Sequence, residues 1–156
     1  MASPRAGVAA LLALAIAVGA AGCGEDEGVA DGATVTVYVE ASLCEGLDGR
    51  VVKAETADGS VQIRSVCLAK AGGERGVELA TVGANARRAI EDSTTIAYLG
   101  EPGTAARFSR PILEAAGVAF VPSSSGTRAM RQILDAVSAA DPNSLRNDVR
   151  ETLDPQ

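Results

Sequence analysis

The chain has 156 residues, enough for one small domain. It is 47% apolar but only 3% aromatic, with no tryptophan, so a core must be built from alanine, valine, leucine and isoleucine. A net charge of −6 without any basic block argues against a nucleic-acid partner, and the absence of histidine removes the commonest general base and the commonest zinc ligand together.

Residues 1–22 read as a secretory signal peptide. Arg5 precedes an unbroken run of small and apolar residues over 7–22, shorter than the roughly 18 residues that a membrane span needs. Ala20-Ala21-Gly22-Cys23 is similar to the bacterial lipoprotein signal, in which the cysteine takes a diacylglycerol and becomes the new N-terminus. Ordinary cleavage near Ala21 and an uncleaved anchor are the alternatives. Lipidation of Cys23 would hold the protein on the extracytoplasmic face of the cell membrane. Residues 23–33 are rich in glycine and acid without periodicity and read as a flexible tether to a single domain over 34–156. Loss of residues 1–22 removes only Arg5, leaving 13 basic against 20 acidic residues. The charge of −7 does not favour direct adhesion to anionic lipid.

Residues 34–39 alternate β-branched side chains and predict the first strand, which ends at Glu40-Ala41-Ser42. Residues 43–56 fit either a crossover helix, weakened at Gly46 and Gly49 by about 1 kcal/mol each relative to alanine, or a short helix followed by a strand. Asp58-Gly59 marks a turn and residues 60–68 a second strand. Cys44 lies just past the end of the first strand and Cys67 near the end of the second, so adjacent parallel strands predict a disulfide worth about 3 kcal/mol. Two unpaired thiols are the alternative, and two cysteines without histidine do not suggest a metal site. A helix is expected over 74–92, with Val77, Ala80, Thr81, Ala84 and Ile90 along one face and Arg87-Arg88 solvated. Residues 95–99 form a third strand, 105–116 a helix interrupted by Pro111, and 118–122 a fourth strand. An amphipathic helix over 127–139 carries Met130, Ile133, Leu134 and Val137. Asp141-Pro142 reads as an N-cap and first helical residue of a last helix with Leu145, Val149 and Leu153.

Strand, glycine turn, helix and strand over residues 95–122 make a βαβ unit with parallel strands, and such sheets bind ligands beyond the carboxyl ends of their strands. Those ends carry Gly100-Glu101-Pro102-Gly103-Thr104 and Ser123-Ser124-Ser125-Gly126. The first loop lacks the lysine of a nucleotide P-loop and any GxGxxG, but can turn N–H groups toward a carboxylate. The serine loop either caps a helix or contacts a ligand. Without GxSxG or histidine it is no serine-hydrolase site. No catalytic residue, cofactor or metal is expected.

Asn85-Ala86-Arg87-Arg88-Ala89, Ile96-Ala97-Tyr98-Leu99-Gly100, Pro111-Ile112-Leu113-Glu114-Ala115-Ala116-Gly117-Val118 and Val121-Pro122-Ser123 together resemble the N-terminal lobe of periplasmic binding proteins of the leucine/isoleucine/valine-receptor type. Those proteins are extracytoplasmic substrate-binding subunits of ABC importers. The resemblance covers residues 34–126. It implies one three-layer αβα lobe, a flavodoxin-like half of that fold, with about four parallel strands in the order 2-1-3-4. It implies ligand contacts from Gly103, Thr104, Ser123, Ser124 and Ser125, and Ser42 past the first strand joins that set. Glu101 in the first loop disfavours a ligand carboxylate. The family closes two lobes on its ligand, whereas this sequence supplies one lobe and two further helices. The expected function is therefore weak, non-enzymatic binding of a small polar ligand such as an amino acid, with an ABC permease or a partner lobe as possible protein contacts. The competing expectation is a scaffold lipoprotein that binds another protein, and an enzyme is disfavoured.

Overall fold

The structure is a computed structural model that describes residues 28–73 and 76–154. The expected signal peptide and Cys23 lie outside the described residues. Strand β1 (Thr34–Val39) is followed by a short 3-10 turn (Ala41–Leu43), then by β2 (Val51–Thr56) and β3 (Gly59–Cys67). A two-residue ribbon, β4 (Gly72–Gly73) with β5 (Gly76–Val77), leads into helix α1 (Leu79–Glu91). Strand β6 (Thr95–Gly100), helix α2 (Thr104–Ala115), strand β7 (Ala119–Pro122) and helices α3 (Gly126–Ala139) and α4 (Leu145–Leu153) complete the order.

The main sheet has five strands in the order β2-β3-β1-β6-β7, with β3-β1, β1-β6 and β6-β7 parallel and β2 antiparallel to β3 at the edge. This corrects the expected sheet of about four parallel strands: β2 adds a fifth, antiparallel strand at the edge, next to the expected run β3-β1-β6-β7. Gly46 and Gly49 have φ of 71° and 65°, so they serve as left-handed turn positions rather than weak points of a crossover helix. The chain turns there and returns as β2, in hairpin register with β3 from Val51↔Arg64 to Thr56↔Gly59.

Parallel strands flanked by helices are buried on both faces, and β6 is buried throughout. On one face Val35, Val37 and Val39 of β1 join Met130, Ile133 and Val137 of α3 and Leu145 and Val149 of α4. On the other, Tyr38, Tyr98 and Phe120 join Ala89 of α1 and Leu113 of α2. Few aromatics suffice because they are concentrated: the rings of Tyr98 and Phe120 stack with centroids 6.0 Å apart. Helix α1 buries Val82, Asn85, Ala86 and Ala89, not the face expected from the sequence, and Val77 is exposed. Alanines at 86 and 89 let the helix approach the sheet, and the buried Asn85 amide is satisfied by donating to the Ala69 carbonyl oxygen at 2.8 Å.

Residues 28–33 of the expected tether are docked. The N–H of Val29 donates to Pro142 O at 2.8 Å, and Asp31 accepts from the N–H and hydroxyl of Ser60. Asp141 does not start α4. Its carboxylate accepts from the N–H of Asn143 in a turn, and the helix begins at Leu145 with Asp148 accepting from the Ser144 hydroxyl. Among the described residues, no helix is long and apolar enough to cross a membrane.

Candidate functional site

From β1 the sheet grows in one direction to β3 and in the other to β6. The β1/β6 boundary is therefore the point where strand order reverses, and ligand crevices of open parallel sheets lie there, beyond the carboxyl ends. Two loops leave that edge, residues 40–50 after β1 and 101–103 after β6, and a third, residues 123–125, follows β7.

Glu40, the first residue after β1, stands at the boundary half-buried. One of its carboxylate oxygens accepts from the backbone N–H of Glu101 at 2.9 Å, and the other accepts from the hydroxyl of Tyr98 at 3.4 Å. Burial pushes the Glu40 carboxyl above the ordinary glutamate range. The Glu101 N–H and Tyr98 hydroxyl oppose that shift, and the nearby Glu101 carboxylate adds to it. The Tyr98 phenol is pushed well up by its own burial and then by the charge of Glu40. Gly100 permits this arrangement. A Cβ there would lie 2.8 Å from the Phe120 ring and 3.0 Å from a Glu40 oxygen. The N–H group that the sequence offers to a ligand carboxylate at Glu101 is thus already held by a carboxylate of the chain itself.

The predicted ligand residues lie around this edge. Gly103 and Thr104 are exposed at the start of α2, and Gly103 has φ of 154°, with open space where a Cβ would stand. Ser42 is exposed in the 3-10 turn. The N–H of Ser123 donates to Gly100 O at 3.0 Å, tying the serine loop to the end of β6. The Ser123 hydroxyl donates to Ser125 O at 2.9 Å and accepts from the N–H of Ser125 at 3.1 Å. The Ser125 hydroxyl caps α3 by accepting from the N–H of Arg128 at 3.4 Å. Ser124 is exposed. Of the two roles open to the serine loop, turn and cap occupy Ser123 and Ser125.

The start of α3 is closed to solvent from the β1 side. Gly126 is buried, and a Cβ on it would lie 2.0 Å from the carbonyl oxygen of Leu43. The loop after β1 therefore forms a wall beside the serine loop, anchored by the buried Leu43 and Leu47. The same loop carries the predicted disulfide. Cys44 and Cys67 are bonded, with their Cα atoms 5.9 Å apart. Parallel register places Val39 opposite Cys67, which brings the two strand ends together as the sequence suggested.

A separate cavity of about 210 Å³ opens at the other end of the sheet, lined by Asp31, Thr56, Asp58, Ser60 and Asn143 among others. It lies at the amino end of β1, away from the edge where parallel sheets hold ligands. Glu40 is the residue that sequence reasoning passed over. One glutamate after a strand carries no motif, and its place depends on β6 arriving beside β1.

The chain matches no protein-family profile, no curated protein and no solved structure.

Proposed function

We propose that the chain is a lipid-anchored, extracytoplasmic binding lobe of the kind that serves branched-chain amino-acid ABC importers, and that it holds a small ligand weakly by its amine. The observation that carries this reading is the half-buried Glu40 carboxylate at the strand-order reversal. A ligand carboxylate at this edge would meet both Glu40 and Glu101, whereas an ammonium group would meet an anion already oriented by Glu101 N–H and Tyr98. The disulfide suits an oxidising compartment, which supports an extracytoplasmic location. One lobe by itself leaves a small ligand half solvated, so the expected affinity of this lobe alone is millimolar, about −4 kcal/mol at 1 mM. That is of the order of one ion pair at about 4 Å near a protein surface, before desolvation is subtracted.

Calorimetric titration with leucine, methylammonium chloride and sodium acetate tests the proposal. Leucine and methylammonium should bind near 1 mM or more weakly, acetate should give no binding heat, and Glu40→Gln should weaken the amines at least fivefold (roughly 1 kcal/mol). Acetate binding as well as methylammonium would overturn it.

One observation favours the second reading, a scaffold for a protein partner. Phe108 and Ile112, four residues apart on α2, are 49% and 36% exposed, large apolar side chains facing solvent one turn from each other. On that reading Phe108→Glu abolishes co-purification of a partner, while Glu40→Gln leaves it intact.

A further inference from the structure

Three metal-ligating groups converge at the carboxyl edge of β3. The sulfurs of Cys44 and Cys67 and a carboxylate oxygen of Asp48 all lie within 4.8 Å of one another. We propose that reduction of the Cys44–Cys67 disulfide turns this cluster into a site for a thiophilic divalent cation of the zinc class. Two thiolates and the Asp48 carboxylate hold the ion, and water fills the fourth position.

The donor set suits that ion. Zinc takes cysteine sulfur and aspartate oxygen in tetrahedral geometry, and three protein ligands leave one open place. Tetrahedral zinc with Zn–S bonds of about 2.3 Å holds its sulfurs about 3.8 Å apart. Cα atoms 5.9 Å apart allow that spacing once the S–S bond is broken, with rotation of the two side chains.

The scaffold that places the donors does not consist of the disulfide alone. Cys67 ends β3 opposite Val39, and the next N–H, of Leu68, donates to Val39 O at 2.9 Å. Cys44 sits between the buried Leu43 and Leu47, and its carbonyl oxygen accepts from the N–H of Leu47 at 2.9 Å. Asp48 lies one residue further on, and its Oδ1 accepts from the N–H of Cys67 at 3.4 Å, which turns the carboxylate toward the sulfurs. Both cysteines are half-buried and Asp48 is exposed, so a reductant and an ion can approach from solvent.

The chemistry balances with a phosphine or dithiol as the reductant. The disulfide takes two electrons and two protons to give two thiols, while the phosphine becomes its oxide with oxygen from water, or the dithiol becomes its own disulfide. Binding of the cation then releases the two thiol protons. The ion replaces the covalent link between the β1 loop and β3, so the wall beside the serine loop persists in either state.

The test uses the full chain, reduced with a phosphine and titrated anaerobically with Co(II), then with Zn(II). Expected are one cobalt per reduced chain with thiolate-to-cobalt charge-transfer absorption, no such band in the oxidised protein, and displacement of the signal by zinc. X-ray absorption at the zinc edge should count two sulfur and two oxygen neighbours. Asp48→Asn, folded in its oxidised form before reduction, should bind at least about tenfold more weakly, and Cys44→Ser should lose the band. If reduction alone unfolds the chain, zinc should restore its circular dichroism. The proposal is overturned by a reduced chain with no charge-transfer band, by unfolding that zinc does not reverse, by four sulfur neighbours, or by unchanged affinity in Asp48→Asn.

Discussion

Replacing Gly126 and Gly83 by alanine, one at a time, should shift stability in opposite directions, although both glycines lie in helices. In α1, a Cβ on Gly83 would meet nothing nearer than the flexible end of Arg87, at 3.8 Å. Alanine there gains helix propensity and lowers the entropy of the unfolded chain, so Gly83→Ala should stabilise by about 0.5–1 kcal/mol. In α3, a Cβ on Gly126 would stand 2.0 Å from Leu43 O, where carbon and oxygen ordinarily approach to about 3.3 Å. More than 1 Å of backbone movement is needed, and the obstacle is the loop held by Leu43, Leu47 and the disulfide. Overpacking of this kind costs about 1–3 kcal/mol, against at most about 1 kcal/mol of helix propensity regained. Net destabilisation of about 1–2 kcal/mol should lower Tm by roughly 3–10 °C, compared with a rise of about 2–4 °C for Gly83→Ala. Thermal and urea unfolding followed by circular dichroism measure both. A Gly126→Ala protein as stable as the parent would refute the close contact between the β1 loop and α3, and with it the wall of the candidate crevice.

Three further outcomes are expected. Replacing Cys44 and Cys67 together by serine should destabilise by about 3 kcal/mol, the loop-closure value for a separation of 23 residues, read as a lower midpoint in urea; equal midpoints would count against it. Because burial raises the folded-state pKa of Glu40, the folded protein holds that proton more tightly than the unfolded chain does. Its contribution is fully present below the ordinary glutamate pKa and is lost as pH rises through the raised value. Glu40→Gln should therefore remove the fall in stability between the ordinary and the raised value, and parallel pH profiles for the two proteins would contradict the assignment. Cys23→Ala should move the protein from the membrane fraction to the soluble fraction, whereas unchanged partition would exclude lipidation at that residue.

The alternation at residues 34–39, the apolar run after Thr95 and the period of Met130, Ile133 and Val137 made β1, β6 and α3 legible, because each follows from a local pattern that burial then rewards. Strand β2 was half legible. Val51-Val52 before the turn at Asp58-Gly59 is a hairpin signal, but two glycines read as helix weakeners concealed the left-handed turns that they supply. The buried face of α1 was misread because alanines at 80, 84, 86 and 89 give no period that separates core from solvent. The strand-end loops and the acid at Glu101 were legible, but not the carboxylate beside it. Glu40 and Glu101 are 61 residues apart, and only the pairing of β1 with β6 brings them together.

The most direct measurement is a two-dimensional amide NMR titration of the protein with methylammonium chloride and, separately, with sodium acetate at the same ionic strength. Methylammonium at millimolar concentration should give saturable shifts at Glu101, Gly103 and Thr104, absent in Glu40→Gln and absent with acetate. Shifts at those amides produced by acetate, or by neither salt, would contradict an amine site at Glu40.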